Sequence, residues 1–313
     1  MKTDYSIGID IGGTNTDLGL VDSNGHCVVI QRFATEDHGN AIEFVDELVN
    51  QIKMMLSETG IHKISGIGVG VPNGNYYTGC IDNAVNLNFK GKIYLKDLIQ
   101  ERIDVNVVVS NDANAAAYGE MIYGAARRMR HFIMFTLGTG VGSGIVIDGK
   151  LVHGFDGYAG ELGHAILHPN GRLCNCGRRG CLEQYTSARG IKKTYIELLQ
   201  QSGKSLTEEE MEKINGKDIS DRATQGDVLA IKTYRLVGDA LGLAMANAVA
   251  FSSPEAIFLM GGPVKAGEVL LEPLRKSFND NILSIYKGRV KILISGLNEN
   301  QSAILGAAAL TRA

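Results

Sequence analysis

One pattern occurs twice in this chain, and it restricts the fold to a duplication. Tyr5 to Ile11 is apolar and β-branched and ends at Gly12-Gly13, while His131 to Leu137 is apolar and ends at Gly138. At one constant offset Ile7 matches Ile133, Ile11 matches Leu137, Gly12 matches Gly138 and Asp22 matches Asp148. A further strand follows in each copy, Leu18 to Val21 and Gly144 to Ile147. Turn residues come next, Asp22-Ser23-Asn24-Gly25 and Asp148-Gly149. A second echo pairs Ile67-Gly68-Val69-Gly70-Val71-Pro72 with Phe258-Leu259-Met260-Gly261-Gly262-Pro263, both ending a strand in glycine then proline. No single match says much, but their common order predicts two similar α/β halves around a cleft.

The rest of the chain supplies the other elements. Cys27 to Phe33 and Val105 to Ser110 read as strands, as does Val290 to Ile294. Ala41 to Ser57 carries Ile42, Val45, Leu48, Val49, Ile52 and Met55 at helical spacing. Leu95 to Arg102, Ala113 to Tyr123, Ile191 to Gln201, Val269 to Phe278 and Ser302 to Thr311 also read as helices. Thr207 and Glu210 have capping-box spacing at the head of another. Val228 to Phe251 is apolar on most faces, which suits burial or a subunit interface. The expected division is a smaller N-terminal domain, 1–118 with 297–313, and a larger domain, 119–296, holding a cysteine-rich loop (161–183) and a helical insertion. Gly119 to Arg130 is the expected hinge.

Of 313 residues 44% are hydrophobic, and the net charge is −3. That slight acidity argues against a nucleic-acid or membrane surface. No apolar run approaches the roughly 20 residues of a membrane span. Met1-Lys2-Thr3-Asp4 leads straight into the first strand with no secretory apolar region, so a cytoplasmic location with reduced thiols is expected.

Asp10-Ile11-Gly12-Gly13-Thr14-Asn15-Thr16 lacks Cβ atoms at two consecutive positions, so backbone N–H groups there can approach an anion. Thr14 and Thr16 could add hydroxyl donors, and Asp10 could hold Mg²⁺ through water. The plain alternative is an ordinary glycine turn with a solvated aspartate. The matching stretch, Gly138-Thr139-Gly140-Val141-Gly142-Ser143-Gly144, weakens its strand at every glycine, a cost tolerated where something must come close. Facing turns of this kind would cradle a polyphosphate. Neither is a Walker loop, for no Gly-Lys-Ser/Thr ending is present, nor a dinucleotide fingerprint, for a strand follows the glycines. Asn111-Asp112 ends a strand and starts a helix. Asp112 is either a simple helix cap or a carboxylate that accepts a proton from a substrate hydroxyl.

His164, Cys174, Cys176 and Cys181 form a Cys3His set within a short loop, with Gly171, Gly177 and Gly180 to bend it. Four such ligands close a tetrahedral Zn²⁺ site and leave no position for a reacting water, so a zinc there is structural. A disulfide would strand one of the three thiols. Glu161 and Glu183 flank the loop. With the imidazole's second nitrogen they suit a neutral polyhydroxylated ligand such as a sugar.

Taken together these motifs resemble the ROK family of sugar kinases, and most of all its bacterial glucokinases, over essentially the whole chain. They are Asp10-x-Gly-Gly-Thr14, Asn111-Asp112-Ala-Asn114, Gly138-Thr-Gly-x-Gly142, Glu161-x-Gly-His164 and Cys174-x-Cys-Gly-x-x-Gly-Cys-x-Glu183, with Gly261-Gly262 and Gly306-Ala-Ala. The resemblance implies an actin-like, ribonuclease H-like α/β fold and phosphorylation of a hexose 6-hydroxyl by ATP with Mg²⁺. Asp112 would be the base. Sugar contacts would come from Asn111, Glu161, His164 and Glu183, and zinc would sit on His164, Cys174, Cys176 and Cys181. Residues 10–16 and 138–142 would hold phosphates, and Gly261-Gly262 the adenosine. A homodimer or homotetramer is implied. Two departures touch the expected sugar pocket: Asn73 stands where many relatives have glycine, though Asn tolerates a left-handed backbone, and the segment after Asn86 lacks a Trp often found there. The sugar therefore stays open among glucose, N-acetylmannosamine, N-acetylglucosamine, allose and fructose. A sugar-responsive repressor of the same family would carry a helix-turn-helix ahead of the first strand, and no room for one is expected before Tyr5.

Overall fold

The computed structural model describes residues 4–83 and 87–312. The strands of the first half are β1 (Ser6–Ile11), β2 (Asn15–Val21), β3 (Cys27–Ala34), β4 (Ile67–Gly70), β5 (Ile81–Asp82), β6 (Lys92–Ile93) and β7 (Val107–Ser110). The second half has β8 (Phe132–Leu137), β9 (Val141–Ile147), β10 (Lys150–Leu151), β11 (Ala256–Met260) and β12 (Lys291–Ile294). One sheet runs β3-β2-β1-β4-β7 and the other β10-β9-β8-β11-β12, while β5 pairs with β6. The two five-stranded sheets share one plan. A three-stranded meander is followed by two strands parallel to its first member, at β4 and β7 and again at β11 and β12. This is the duplicated α/β plan that the two hairpins predict, and the actin-like fold that the family resemblance implies.

Helices α1 (Ala41–Thr59), α2 (Leu95–Gln100), α3 (Asp112–Ile122), α4 (Glu183–Thr186) and α5 (Ala188–Gln201) precede α6 (Glu208–Lys213), α7 (Gly216–Thr224), α8 (Val228–Ser252), α9 (Glu268–Asn281) and α10 (Ser302–Ala309). The chain forms two compact units. Met1–Arg130, Gly144–Gly160 and Ser295–Ala313 make the first; His131–Ser143 and Glu161–Ile294 make the second.

Strand alternation organises the first unit. Ile7, Ile9 and Ile11 of β1 and Ile67 and Val69 of β4 point one way, into a core shared with Phe44, Val45, Leu48 and Ile52 of α1. That helix forms where its apolar spacing allows. Asn40 caps it by accepting the N–H groups of Ile42 and Glu43 at 3.1 and 3.0 Å, and Gly60 closes it at φ 66°. Gly8, Asp10, Gly68 and Gly70 point the other way. A Cβ on Gly8 would overlap the Ile304 carbonyl oxygen, and one on Gly68 would overlap that of Ala307. α10 therefore lies backbone-on-sheet, which only glycine permits. At the end of α3, Glu120 is 0% exposed. Its carboxylate accepts the N–H groups of Ala125 (2.7 Å) and Gly296 (3.0 Å) and the Ser295 hydroxyl (2.6 Å), tying α3 to the segment that feeds α10.

In the second unit α8 packs along α9 and is capped by Asp227, whose carboxylate accepts the N–H groups of Leu229 and Ala230. Its apolar faces are not all covered, for Val228, Leu236 and Phe251 remain exposed. The expected capping box of Thr207 and Glu210 is present on α6. Two differences from expectation recur at corresponding places. Both β2 and β9 begin a few residues earlier than the sequence suggests, at Asn15 and Val141, inside runs that read as turns. β5, β6, β10 and α7 lay outside the sequence reading.

Candidate functional site

In the first unit, Asp10, Gly70 and Ser110 stand in one row at the carboxyl ends of β1, β4 and β7. Ligands of open α/β sheets bind at that edge. Asp112 follows at once, on the first turn of α3. The helix cap is Asn111, whose side chain accepts the Ala113 N–H at 2.9 Å, so the plain-cap alternative belongs to Asn111 and not to Asp112. Gly70 floors the space between the two aspartates: a Cβ there would lie 3.6 Å from the Asp112 Cα and 3.8 Å from an Asp10 carboxylate oxygen.

The electrostatics follow from that crowding. Burial, then the charges of Asp112 and Asp17, push the Asp10 carboxyl from 3.8 to about 7. Asp17 is itself held by Arg32 through bonds of 2.6 and 2.9 Å. Asp112 retains solvent-facing surface but sits among enough protein that desolvation raises its pKa, against the opposing N–H groups of Ala113 and of Asp112 itself. A carboxyl made more basic by its surroundings is what a proton acceptor requires.

The turn after β1 closes through the Gly12 N–H on the Asn15 carbonyl at 2.9 Å, with Gly13 at its bend and Thr14 and Asn15 exposed. Thr35 and Glu36 brace it by donating to the Thr14 carbonyl at 2.8 and 3.4 Å. Thr16 is a correction. Expected among phosphate donors, it is 0% exposed and its hydroxyl pairs with that of Thr35 at 2.8 Å. The reason is register: β2 starts at Asn15, so Thr16 shares the inward face of Leu18 and Leu20. Asn73 adopts the left-handed backbone, φ 57°, and spends its amide on the carbonyls of Asp82 and Asn83 at 3.0 and 3.5 Å. Asn86 lies outside the described residues.

In the second unit, the ligand atoms of His164, Cys174, Cys176 and Cys181 all lie within 4.8 Å of one another. The Cys174 sulfur is 3.7 Å from His164 Nδ1, and the sulfurs of Cys176 and Cys181 are 3.6 Å apart. Zinc bonds of about 2.3 Å to sulfur and 2.0–2.1 Å to nitrogen imply tetrahedron edges of about 3.5–3.8 Å, so this set fits the ion. Burial alone would raise Cys176, but bonds from Arg178 and the neighbouring sulfurs draw it down to about 6; burial and those sulfurs push Cys181 up to about 12. A thiolate already favoured among thiols suits a cation that ionises its ligands. Gly177 and Gly180, at φ 84° and 79°, make the turns that gather them. Because Nδ1 faces the sulfurs, the cluster makes no use of Nε2 of His164.

Glu183 is half-buried, and its Oε2 accepts the Val141 N–H at 3.0 Å; Glu161 is exposed at the head of the His164 turn. The turn from Gly138 to Gly142 exposes Gly138 and Thr139 at its tip. It closes through the Gly138 N–H on the Gly140 carbonyl at 3.0 Å. Gly261, at φ 113°, leads to Gly262, which lines a cavity of about 460 Å³ with Ile191, Lys217, Ser220, Asp221 and Lys265. Three of those residues belong to α7, which the sequence reading missed. Asn215 caps that helix through the Asp218 N–H at 3.0 Å, and this Asn was the available signal.

The model of the ROK family matches residues 6–313. A glucokinase of Thermotoga maritima is 35% identical over 98% of this chain and 96% of its own length. A crystal structure of a ROK family glucokinase from Streptomyces griseus in complex with glucose and AMPPNP superposes with a TM-score of 0.82 at 32% identity, covering 98% of this chain and 99% of that one. A xylose repressor of Bacillus spizizenii is 30% identical over 97% of this chain but only 76% of its own length.

Proposed function

Because this chain belongs to the ROK family, we propose that it is an ATP-dependent sugar kinase that phosphorylates the 6-hydroxyl of glucose. Full-length likeness to glucokinases supports the substrate. The observation that carries the chemistry is Asp112, an aspartate made more basic by desolvation beside the strand ends of the first sheet. It accepts the proton of the attacking hydroxyl while that oxygen bonds to the γ-phosphorus of ATP and the bond from that phosphorus to the β,γ-bridging oxygen breaks, so that ADP leaves. In phosphoryl transfer the protein mainly positions groups and neutralises charge, so few residues suffice. Asn111, Glu161, Glu183 and Nε2 of His164 would hold sugar hydroxyls, and Asn73 is a further candidate. Asp10, Gly12, Gly13, Thr14 and Asn15, with Gly138, Thr139, Gly140 and Gly142, would surround the phosphates. The cavity at Gly261-Gly262 would take the adenosine. Mg²⁺, held through water by Asp10, would offset phosphate charge, and the mutual repulsion of Asp10, Asp112 and Asp17 is the setting that favours such a cation. Zn²⁺ on the Cys3His set would stiffen the loop that carries His164 and Glu183.

The reading includes a cytoplasmic location, in keeping with five free cysteines. It also includes a homodimer or homotetramer, and Phe251 and Ile166, both exposed and lining one apolar groove, would suit that assembly. The test is ADP release with a panel of glucose, N-acetylmannosamine, N-acetylglucosamine, allose and fructose, for wild type and Asp112→Ala. Loss of a general base costs about 10²–10⁴-fold in kcat. Near-normal turnover in the variant would remove Asp112 from its role, and sugar binding with no ADP from wild type would point to a sensor.

A further inference from the structure

We propose that Glu183 is a positioning residue for the 138–142 turn, so that the carboxylate expected to hold a sugar hydroxyl also sets the geometry of the turn expected to hold nucleotide phosphates. The inference deepens the kinase reading and rests on it for what the turn binds.

A carboxylate beside a phosphate turn repels the phosphate, so its presence there needs another use. The contacts supply one. Oε2 of Glu183 accepts the N–H of Val141, a residue only 5% exposed and the first of β9. A Cβ on Gly140 would come within 2.5 Å of that same oxygen, so a side chain at 140 would evict the carboxylate. Two more grips act on the turn and on the strand that leaves it. The Ala188 N–H donates to the Gly138 carbonyl at 2.9 Å, and the Leu162 N–H donates to the Ser143 hydroxyl at 3.1 Å. A Cβ on Gly163 would overlap the Val141 carbonyl oxygen, so the turn that carries His164 presses directly on β9. The glycine turn is thus docked on the segment that holds the Cys3His set.

Glu183 is placed by that set. It follows Cys181 by two positions, its Oε1 is 4.0 Å from the Cys174 sulfur, and its neighbour Gln184 donates to that sulfur at 3.5 Å. With Oε2 committed to Val141, Oε1 is the oxygen left for a hydroxyl. The sugar then meets one carboxylate oxygen of Glu183, while the other oxygen sets the turn expected to hold the nucleotide.

The experiment measures AMPPNP binding by calorimetry, without sugar, on the full chain as purified. Wild type, Glu183→Gln, Glu183→Ala and Gly140→Ala are compared, with melting temperature and zinc content recorded for each. Gln retains a carbonyl for the Val141 N–H and removes the repelling charge, so Glu183→Gln keeps AMPPNP affinity at the wild-type level or above while sugar affinity falls. Glu183→Ala and Gly140→Ala each lose about tenfold in AMPPNP affinity, the size of one charge-assisted hydrogen bond. Amide exchange at Val141 stays slow in wild type and Glu183→Gln and becomes fast in the other two. If Glu183→Ala binds AMPPNP like wild type, or if Val141 exchange does not change, the positioning role is wrong. Should Glu183→Ala fail to fold, Val141 exchange in Gly140→Ala against Glu183→Gln decides the matter. A wild type that binds no AMPPNP at all would sink the kinase reading instead, and Val141 exchange would still report on the contact.

Discussion

Replacing Asp10 by Asn should make the ligand-free protein more resistant to unfolding as pH rises, while abolishing turnover. The argument runs from geometry to linkage. Asp10 stands at the end of β1 with Asp17 opposite it and Asp112 across Gly70, and burial adds to their repulsion, so its carboxyl titrates near 7 and not 3.8. Folding therefore favours the protonated form. The stabilising contribution of that carboxyl is full below pH 3.8 and is lost as pH rises through about 7. Asn cannot titrate. Integrating the proton uptake between pH 5 and pH 8 gives a relative loss for wild type of about 2–3 kcal/mol. Urea melts of both proteins at half-unit pH steps, without Mg²⁺ or nucleotide, measure it. A stability difference that stays flat from pH 5 to pH 8 would refute the reasoning, whatever its size, because the slope and not the offset carries the titration. Mg²⁺ should narrow the gap at pH 8 by stabilising wild type alone.

Chelating the metal from the Cys3His loop should lower the melting temperature and weaken sugar binding together, since ligand gathering and folding are linked; a protein with one zinc per chain by metal assay is the expected starting point, and unchanged melting after zinc removal would contradict it. Glu120→Ala removes a buried carboxylate that satisfies three donors. It should destabilise by about 3–5 kcal/mol in denaturant melts, with Glu120→Gln intermediate.

Much of this was legible in the sequence because period and turn chemistry are local. The paired hairpins, the left-handed Asn73, the Asp148-Gly149 turn and the Cys3His spacing each follow from a few adjacent residues. What escaped was either too short or too distant. Two-residue strands such as β5 and β6 show no alternation. Glycines and threonines at 12–16 and 138–143 hid the true starts of β2 and β9, and with them the inward turn of Thr16. The Glu183 to Val141 bond joins positions 42 residues apart, and only the folded chain brings them together. α8 was found but not its orientation, because apolar residues on most faces name no single buried side.

The packing of α10 on Gly8 and Gly68 has a consequence for biosynthesis. A nascent chain whose β1, β2, β3, β4 and β7 have already emerged still lacks the cover for one side of that sheet until residues 302–309 leave the ribosome. The unit that closes with Ile294 is complete before the unit whose synthesis began first. Translation order and completion order are therefore inverted, and the earliest-made strands spend the longest time in need of protection from misassociation.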